Sequence, residues 1–391
     1  MSRFQGRVAL CFGTYPPERN GGSDFVARLA ESLVALGAEP HVITSADGTP
    51  ASTVEAGVVV HRVVRDWSLG RTGRAELRQA NRVLRETAAE VVHVLFPDSV
   101  LQERYRLPAL LGLGRIPLVA TWWNLGLGRL SPLAIRAESA ALLSRARVLS
   151  AHNPVSLRFL SRIALRRPVE WLPVGNNMVH SGPRVSRDEA RRLLELEPDV
   201  EWLGYFGQLD PTRGVEDLFA ALAALRRRRD VRLVMIGSAG RRERYEEEPA
   251  SAAYLDAVLR LPGALGIDGA VRWTDYLSDE DVVRHLLAVD LCVLPYRRNS
   301  IGRSALATAL ETGTATVIAG NDAGIEPLRA HEHVALVPPA SPEHLCDAIA
   351  GLLEDDGARR RLEHGARAAA RYFSWPYVAE RALAIYERAC R

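Results

Sequence analysis

The sequence predicts an α/β protein of two Rossmann-like halves, each a parallel sheet with helices on both faces. Three observations carry this expectation. Short apolar runs alternate with longer amphipathic stretches, the pattern of parallel strands joined by crossover helices. That pattern restarts at Trp202, after a linker-like segment at 176–182. A chain of 391 residues is also too long for one ordinary core.

In order, residues 7–12 form a first strand, ended by Gly13 and Pro16-Pro17. A loop with Gly21-Gly22-Ser23-Asp24 follows. From Phe25 the spacing is helical, with Phe25, Leu29, Leu33 and Leu36 on one face and Gly37 as the stop. Strands are expected at 40–44, 57–62, 91–95, 117–122 and 147–151, with helices at 74–87 and 134–146 and a closing strand at 169–175. The second half reads as strands at 202–207, 231–237, 270–274, 291–295, 316–319 and 334–337. Its helices are expected at 215–226, 252–259, 279–287, 304–311, 343–353 and 358–372, with a last helix at 376–389. Neither Rossmann-like opening carries the GxGxxG dinucleotide fingerprint, which argues against an NAD-dependent oxidoreductase.

One stretch stands out as a binding element. The apolar run Leu291 to Pro295 leads into a glycine turn, a helix from Ser304 and a C′ glycine at Gly313. A glycine turn feeding a helix N-terminus suits an anion, because free N–H groups and the helix dipole face the same point. Arg297, Arg298 and Arg303 crowd that turn; they either meet the anion or lie solvated beside an ordinary connection.

Composition narrows the class. Hydrophobic content is 47% and charged content 25%, as in a soluble globular protein. All 50 basic residues are arginine, which points to a GC-rich coding sequence and makes arginine abundance a weak sign of anion binding. A net charge of +3 argues against a dedicated nucleic-acid binder. The four cysteines are scattered without metal-ligand spacing, and no signal peptide or membrane-length apolar run is read, so a cytoplasmic protein is expected. Arginine-rich helices leave room for peripheral contact with an anionic membrane.

The ordered segments GTYPPERNGGSDFVARLAESL, WLPVGNN, YFGQLDPTRGVEDLFAAL, VRLVMIGSAG, VRWTDYLSDEDVVRHL, VLPY and FSW resemble glycosyltransferase family 4 over nearly the whole chain. The resemblance implies the GT-B fold, two Rossmann-like domains facing across a cleft. It places an acceptor domain at 1–180, a nucleotide-sugar donor domain at 181–372, and a terminal helix at 373–391 that crosses back to the first domain. It also implies sugar transfer from a nucleoside-diphosphate sugar to an unknown acceptor, with retention and no obligatory metal or other cofactor. Two alternatives of the same fold stay open: a catalytically degenerate sugar-nucleotide-binding protein or partner subunit, and an epimerase or hydrolase.

By resemblance the donor would meet Gly207, Gln208, Arg213, Gly237, Ser238, Tyr276, Leu277, Ser300, Ile301, Gly302, Arg303, Ser304, Thr308 and Glu311. The family has two basic residues at Gln208 and Arg213; here only Arg213 keeps the charge, and its planar fork suits a diphosphate. The family's paired glutamates fall at Ser300 and Thr308. Glu311, one turn beyond Thr308, either takes over the ribose contact or ends the helix in solvent. On the acceptor side the resemblance points to Gly21, Gly22, Trp123, Asn124, His93 and His152, with Asp24 as the nearest carboxylate for the acceptor hydroxyl. Trp123 stands where the family often has histidine, and either stacks on a ligand or fills a core. Asp24 either serves as base or caps a helix, and both histidines are either polar contacts or structural.

Overall fold

In the computed structural model, β1 (Arg7–Cys11) is the centre from which the first sheet grows. Described are residues 4–18, 21–65, 67, 73–96, 111–112, 115–123, 142–164, 166–178, 184–237, 249–297, 301–320 and 326–391. They fall into two units, Met1–Asn177 with Tyr372–Arg391, and Met178–Arg371.

In the first unit β1 lies parallel between β2 (Glu39–Ser45) and β5 (Val91–Phe96). With β3 (Ala51–Glu55), β4 (Val58–Val64), β6 (Leu118–Trp122), β7 (Val148–Ala151) and β8 (Val169–Trp171), the order is β3-β4-β2-β1-β5-β6-β7-β8. Every residue of β6 and β7 is buried, which fits a parallel strand covered on both faces. The β3–β4 pair alone among the described pairs is antiparallel. Its cause is local: Ala56 and Gly57 have φ of 49° and 80°, the left-handed pair that a tight two-residue hairpin needs. No strand is expected there from the sequence, because four of the five β3 residues are exposed and show no buried face.

Two further elements depart from expectation. Helix α1 (Gly21–Ala35) starts four residues before Phe25, so Gly21, Gly22 and Asp24 are its first turn rather than a loop. Helix α2 (Gly73–Glu86) matches its expected span, whereas α3 (Pro154–Ile163) was not expected. Its start signals are nevertheless present: Asn153 accepts from the Ser156 amide and Pro154 takes the first turn. The helix expected at 134–146 lies largely outside the described residues, as does the charged stretch 241–248.

The second unit holds β9 (Glu201–Phe206), β10 (Val231–Ile236), β11 (Val271–Trp273), β12 (Leu291–Leu294), β13 (Thr316–Ala319) and β14 (Ala335–Val337), all parallel in the order β11-β10-β9-β12-β13-β14. Its helices are α4 (Arg187–Leu193), α5 (Val215–Leu225), α6 (Pro249–Ala264), α7 (Asp279–Ala288), α8 (Ser304–Thr312), α9 (Pro342–Glu354) and α10 (Asp356–Ala370). Helix α4 was also unexpected, though Ser186 caps it by accepting from the Glu189 amide.

The last helix, α11 (Trp375–Cys390), packs against α1 in the first unit. Val378, Ala382, Leu383, Ile385, Tyr386 and Ala389 join the core that contains Phe25, Leu29 and Leu33. Burying each large apolar side chain contributes about 1.5–3 kcal/mol. The Trp375 indole donates to the Asn176 carbonyl at 2.6 Å, and Arg381 and Arg388 both bind Glu170.

Of the three buried histidines among the described residues of this unit, His61, His93 and His152, the last two are the most enclosed. His93 is fully buried, with Nδ1 2.8 Å from the Tyr386 hydroxyl and Nε2 2.7 Å from that of Thr121. Burial, then the neighbouring His152, lowers its pKa to about 3; burial lowers that of His152 to about 4. Both stay neutral when folded and protonate near 6.5 when unfolded. Stability is therefore intact above the unfolded value and falls as pH drops below it. The expected loss is about 1.4 kcal/mol per pH unit for each histidine. Urea unfolding at about pH 7.5 and pH 5 should show it, and His152→Gln should show a shallower loss. Equal slopes for the two proteins would exclude His152 as a source.

Candidate functional site

The site in the second unit is built where β9 and β12 end side by side. Tyr205 and Tyr296, from those strand ends, are both fully buried. The Tyr205 hydroxyl donates to the Gln208 carbonyl at 2.7 Å, and that of Tyr296 to the Phe206 carbonyl at 3.4 Å. A Cβ on Gly207 would stand 3.3 Å from one phenol oxygen and 3.5 Å from the other, so the backbone passes directly over both.

The loop then turns into α5 through Gly214, whose φ of 68° is left-handed. A Cβ here would stand 2.1 Å from the Pro295 carbonyl oxygen, so this close approach requires glycine. The contact sets Arg213 against Tyr296, its guanidinium carbon 5.0 Å from the ring centroid. Arg213 is only 9% exposed, and its Nε donates to Asp210 Oδ2 at 2.6 Å. Burial opposes its charge, but Tyr296, Tyr205 and Asp210 outweigh this and raise its pKa. Burial likewise acts against the Asp210 carboxylate; Arg213 and hydrogen bonds from Thr212 overcome it and hold its pKa below the usual range. Arg297 serves as a brace: its Nε and Nη2 each reach Asp217 at 3.1 Å, and its amide binds the Thr212 carbonyl at 2.9 Å.

From the other side come Ile301, Gly302 (φ 93°) and Arg303, which lead into α8. Arg303 places its guanidinium carbon 5.2 Å from the same Tyr296 centroid. The N-cap of α8, Arg303, makes no side-chain cap hydrogen bond among the described residues, and the first-turn amides of a helix are donors without a partner inside it. Gly313 (φ 74°) ends the helix. Thr308 is fully buried and its hydroxyl donates to the Ser304 carbonyl at 2.9 Å. Glu311 is half-buried, and its carbonyl accepts from Arg184 at 2.5 Å.

Of the other donor-side residues, Gln208 is exposed, Ser304 is half-buried, and Leu277 precedes the cap of α7. Tyr276 is 54% exposed. Gly237, with φ 65°, donates its amide to Thr274 Oγ1 at 2.7 Å. Ser238 and Ser300 lie outside the described residues, as does Asn124 on the acceptor side. Tyr205, Tyr296 and Asp210 are not among the site residues expected from the sequence. The signal was present for two of them: Tyr296 ends the run VLPY, and Asp210 precedes Arg213 by three positions.

In the first unit, Trp123, Phe25 and His152 form one aromatic cluster. The Trp123 and His152 rings lie 4.4 Å apart, and Phe25 meets them at 5.3 and 4.9 Å. His152 donates from Nδ1 to the Leu172 carbonyl at 2.7 Å, which leaves Nε2 as a bare, buried acceptor without a partner among the described residues. His93 lies deeper, with both nitrogens occupied in the sheet core. Gly21 and Gly22 open α1, and Asp24 lies in its first turn. Among the described residues no group of three His, Cys, Asp or Glu could hold a metal, and no helix is long and apolar enough to cross a membrane.

The family model described as glycosyl transferases group 1 matches residues 179–355, and that of the glycosyl transferase 4-like domain matches residues 20–177. The chain belongs to the group 1 glycosyltransferases. Among curated members, D-inositol 3-phosphate glycosyltransferase of Nocardioides sp. is 33% identical over 206 residues, 52% of this chain and 45% of that protein. The MMP alpha-(1->4)-mannosyltransferase of Mycolicibacterium hassiacum is 29% identical over 220 residues, 56% and 48% of the two chains. The chain thus spans about half the length of the curated relatives it matches. Sucrose-phosphate synthase from Thermosynechococcus elongatus superposes with a TM-score of 0.76 at 17% identity, over 97% of this chain and 98% of that one. Anabaena HepE, solved in complex with UDP and glucose, gives a TM-score of 0.73 at 16% identity, over 96% and 98%. These likenesses are of fold, and the fold of this group 1 glycosyltransferase is GT-B.

The geometry at Gly214 is directly testable. Gly214→Ala combines a left-handed backbone with a clash on Pro295, and should lower the unfolding free energy by more than about 2 kcal/mol in urea. A variant as stable as wild type would contradict the close approach.

Proposed function

We propose that the protein transfers a sugar, with retention, from a nucleoside-diphosphate sugar to an acceptor hydroxyl. The observation that carries this is the convergence of the Arg213 and Arg303 guanidiniums on Tyr296, at the turn that leads into α8, in a chain of this family. In this reading the bond between the anomeric carbon and the diphosphate oxygen breaks. Negative charge then grows on the leaving diphosphate. Arg213 and the amides of Ile301, Gly302 and Arg303 stabilise that charge, which is where electrostatic catalysis acts. The departing diphosphate takes the acceptor hydroxyl's proton, so no enzyme nucleophile is needed.

The nucleotide base lies near Gly237, Tyr276 and Leu277, and Gly207, Gln208 and Ser304 border the diphosphate and sugar. Glu311, rather than the inward-bonded Thr308, contacts the ribose. In the first unit, Gly21, Gly22 and Trp123 contact the acceptor, and Asp24 is the candidate base for its hydroxyl. His152 is the histidine of that set with a bare acceptor nitrogen. A second reading, a sugar-nucleotide-binding protein without turnover, is favoured by one observation: the Thr308 hydroxyl is already bonded to Ser304.

Incubation with UDP-sugars, followed by detection of released UDP and of sugar product, tests the function. Turnover supports transfer or hydrolysis, and binding of donor without turnover supports the second reading. Arg213→Ala should weaken UDP binding by about 1.5–3 kcal/mol in calorimetry, the range of hydrogen bonds to charged groups. An unchanged Kd would remove Arg213 from the site. Glu311→Ala should reduce donor affinity more than Thr308→Ala does, and the reverse order would return Glu311 to a helix-end role.

A further inference from the structure

Two guanidinium groups converge on one buried phenol. Arg213 arrives from the loop after β9 and Arg303 from the turn before α8, with guanidinium carbons 5.0 and 5.2 Å from the Tyr296 centroid. The two carbons therefore lie within about 10 Å of each other. Cations gather on an aromatic face because the ring presents its negative side. One ring attracting two cations still leaves them repelling each other where water is partly excluded.

The two arginines respond differently to this placement. Arg213 is paired with Asp210, and its charge is favoured on balance. Arg303 is held below its ordinary pKa, first by burial and then by the charge of Arg213; Tyr296, Asp210 and Tyr205 offset this only in part. Two like charges held close in a half-buried site favour a ligand that carries two adjacent negative groups. Gln208, in the loop after β9, is uncharged and exposed, so it supplies no such cation.

We propose that the Arg303 side chain is the second cation of the diphosphate subsite, and that it makes the site prefer diphosphates over monophosphates. The inference rests on the proposed donor site and adds a specificity residue to it. Arg213 alone, neutralised in part by Asp210, serves one phosphate group; the pair of guanidiniums brackets two.

Calorimetry with UDP, UMP and inorganic pyrophosphate tests this on wild type, Arg303→Met, Arg303→Lys and the double variant Gln208→Arg/Arg303→Met. Methionine keeps the packing on Tyr296 and removes the charge. The expected result is an approximately ten- to hundredfold loss of UDP and pyrophosphate affinity in Arg303→Met, the span for a hydrogen bond to a charged group. UMP affinity should change by no more than about threefold, and lysine or the relocated arginine should restore part of the loss. Circular dichroism melting checks that each variant is folded. An unchanged UDP-to-UMP ratio in Arg303→Met, with UDP binding lost in Arg213→Ala, would overturn the role of Arg303 and leave the donor site standing. A wild-type protein that binds neither UDP nor pyrophosphate would overturn both.

Discussion

The close approach of Gly214 to the Pro295 carbonyl is the constraint on which the candidate site of the second unit depends. It draws the loop after β9 onto the end of β12, two segments about eighty residues apart in sequence. Once they meet, Arg213 has one place to go: over Tyr296, with Asp210 against its Nε. Breaking the pair would strand the Arg213 charge, although the Asp210 side chain is 36% exposed and water screens part of that loss. The Arg297–Asp217 brace repeats the same tie on the outer side of the loop. Rigid positioning of this kind is what charge stabilisation requires, since the donors must already face the place where charge develops.

The first unit is organised differently, around a buried sheet closed by the final helix. Tyr386 on α11 reaches His93 on β5, and His93 reaches Thr121 on β6, so one polar chain crosses the core fully bonded. His152 ends the neighbouring strand with one nitrogen occupied and the other bare beneath Trp123. The contrast separates a histidine that holds the fold from one with hydrogen-bonding capacity left over.

Much of this fold was legible in the sequence because its strands are buried on both faces and read as continuous apolar runs. Leu291 to Leu294 and Thr316 to Ala319 are examples, and Gly313 marked the end of α8 through the left-handed conformation it adopts. The β3 strand was illegible because its side chains face solvent and its turn uses Ala56-Gly57 rather than a familiar asparagine-glycine pair. Gly21 and Gly22 read as a loop because glycine disfavours helix interiors, yet at a first turn its cost is small. At the candidate site, Arg213 could be singled out from its neighbours in the chain. The Tyr205–Tyr296 floor could not, because it arises only when β9 and β12 pair. The two histidines differ by depth and partners alone, which no local pattern encodes.

The central claim is that a diphosphate sits where Arg213 and the start of α8 converge on Tyr296. A crystal structure of the protein grown with UDP tests it most directly. The account predicts phosphate oxygens within hydrogen-bond distance of the Arg213 guanidinium and of the amides between Ile301 and Ser304. UDP bound elsewhere, with Arg213 still directed only at Asp210, would contradict it.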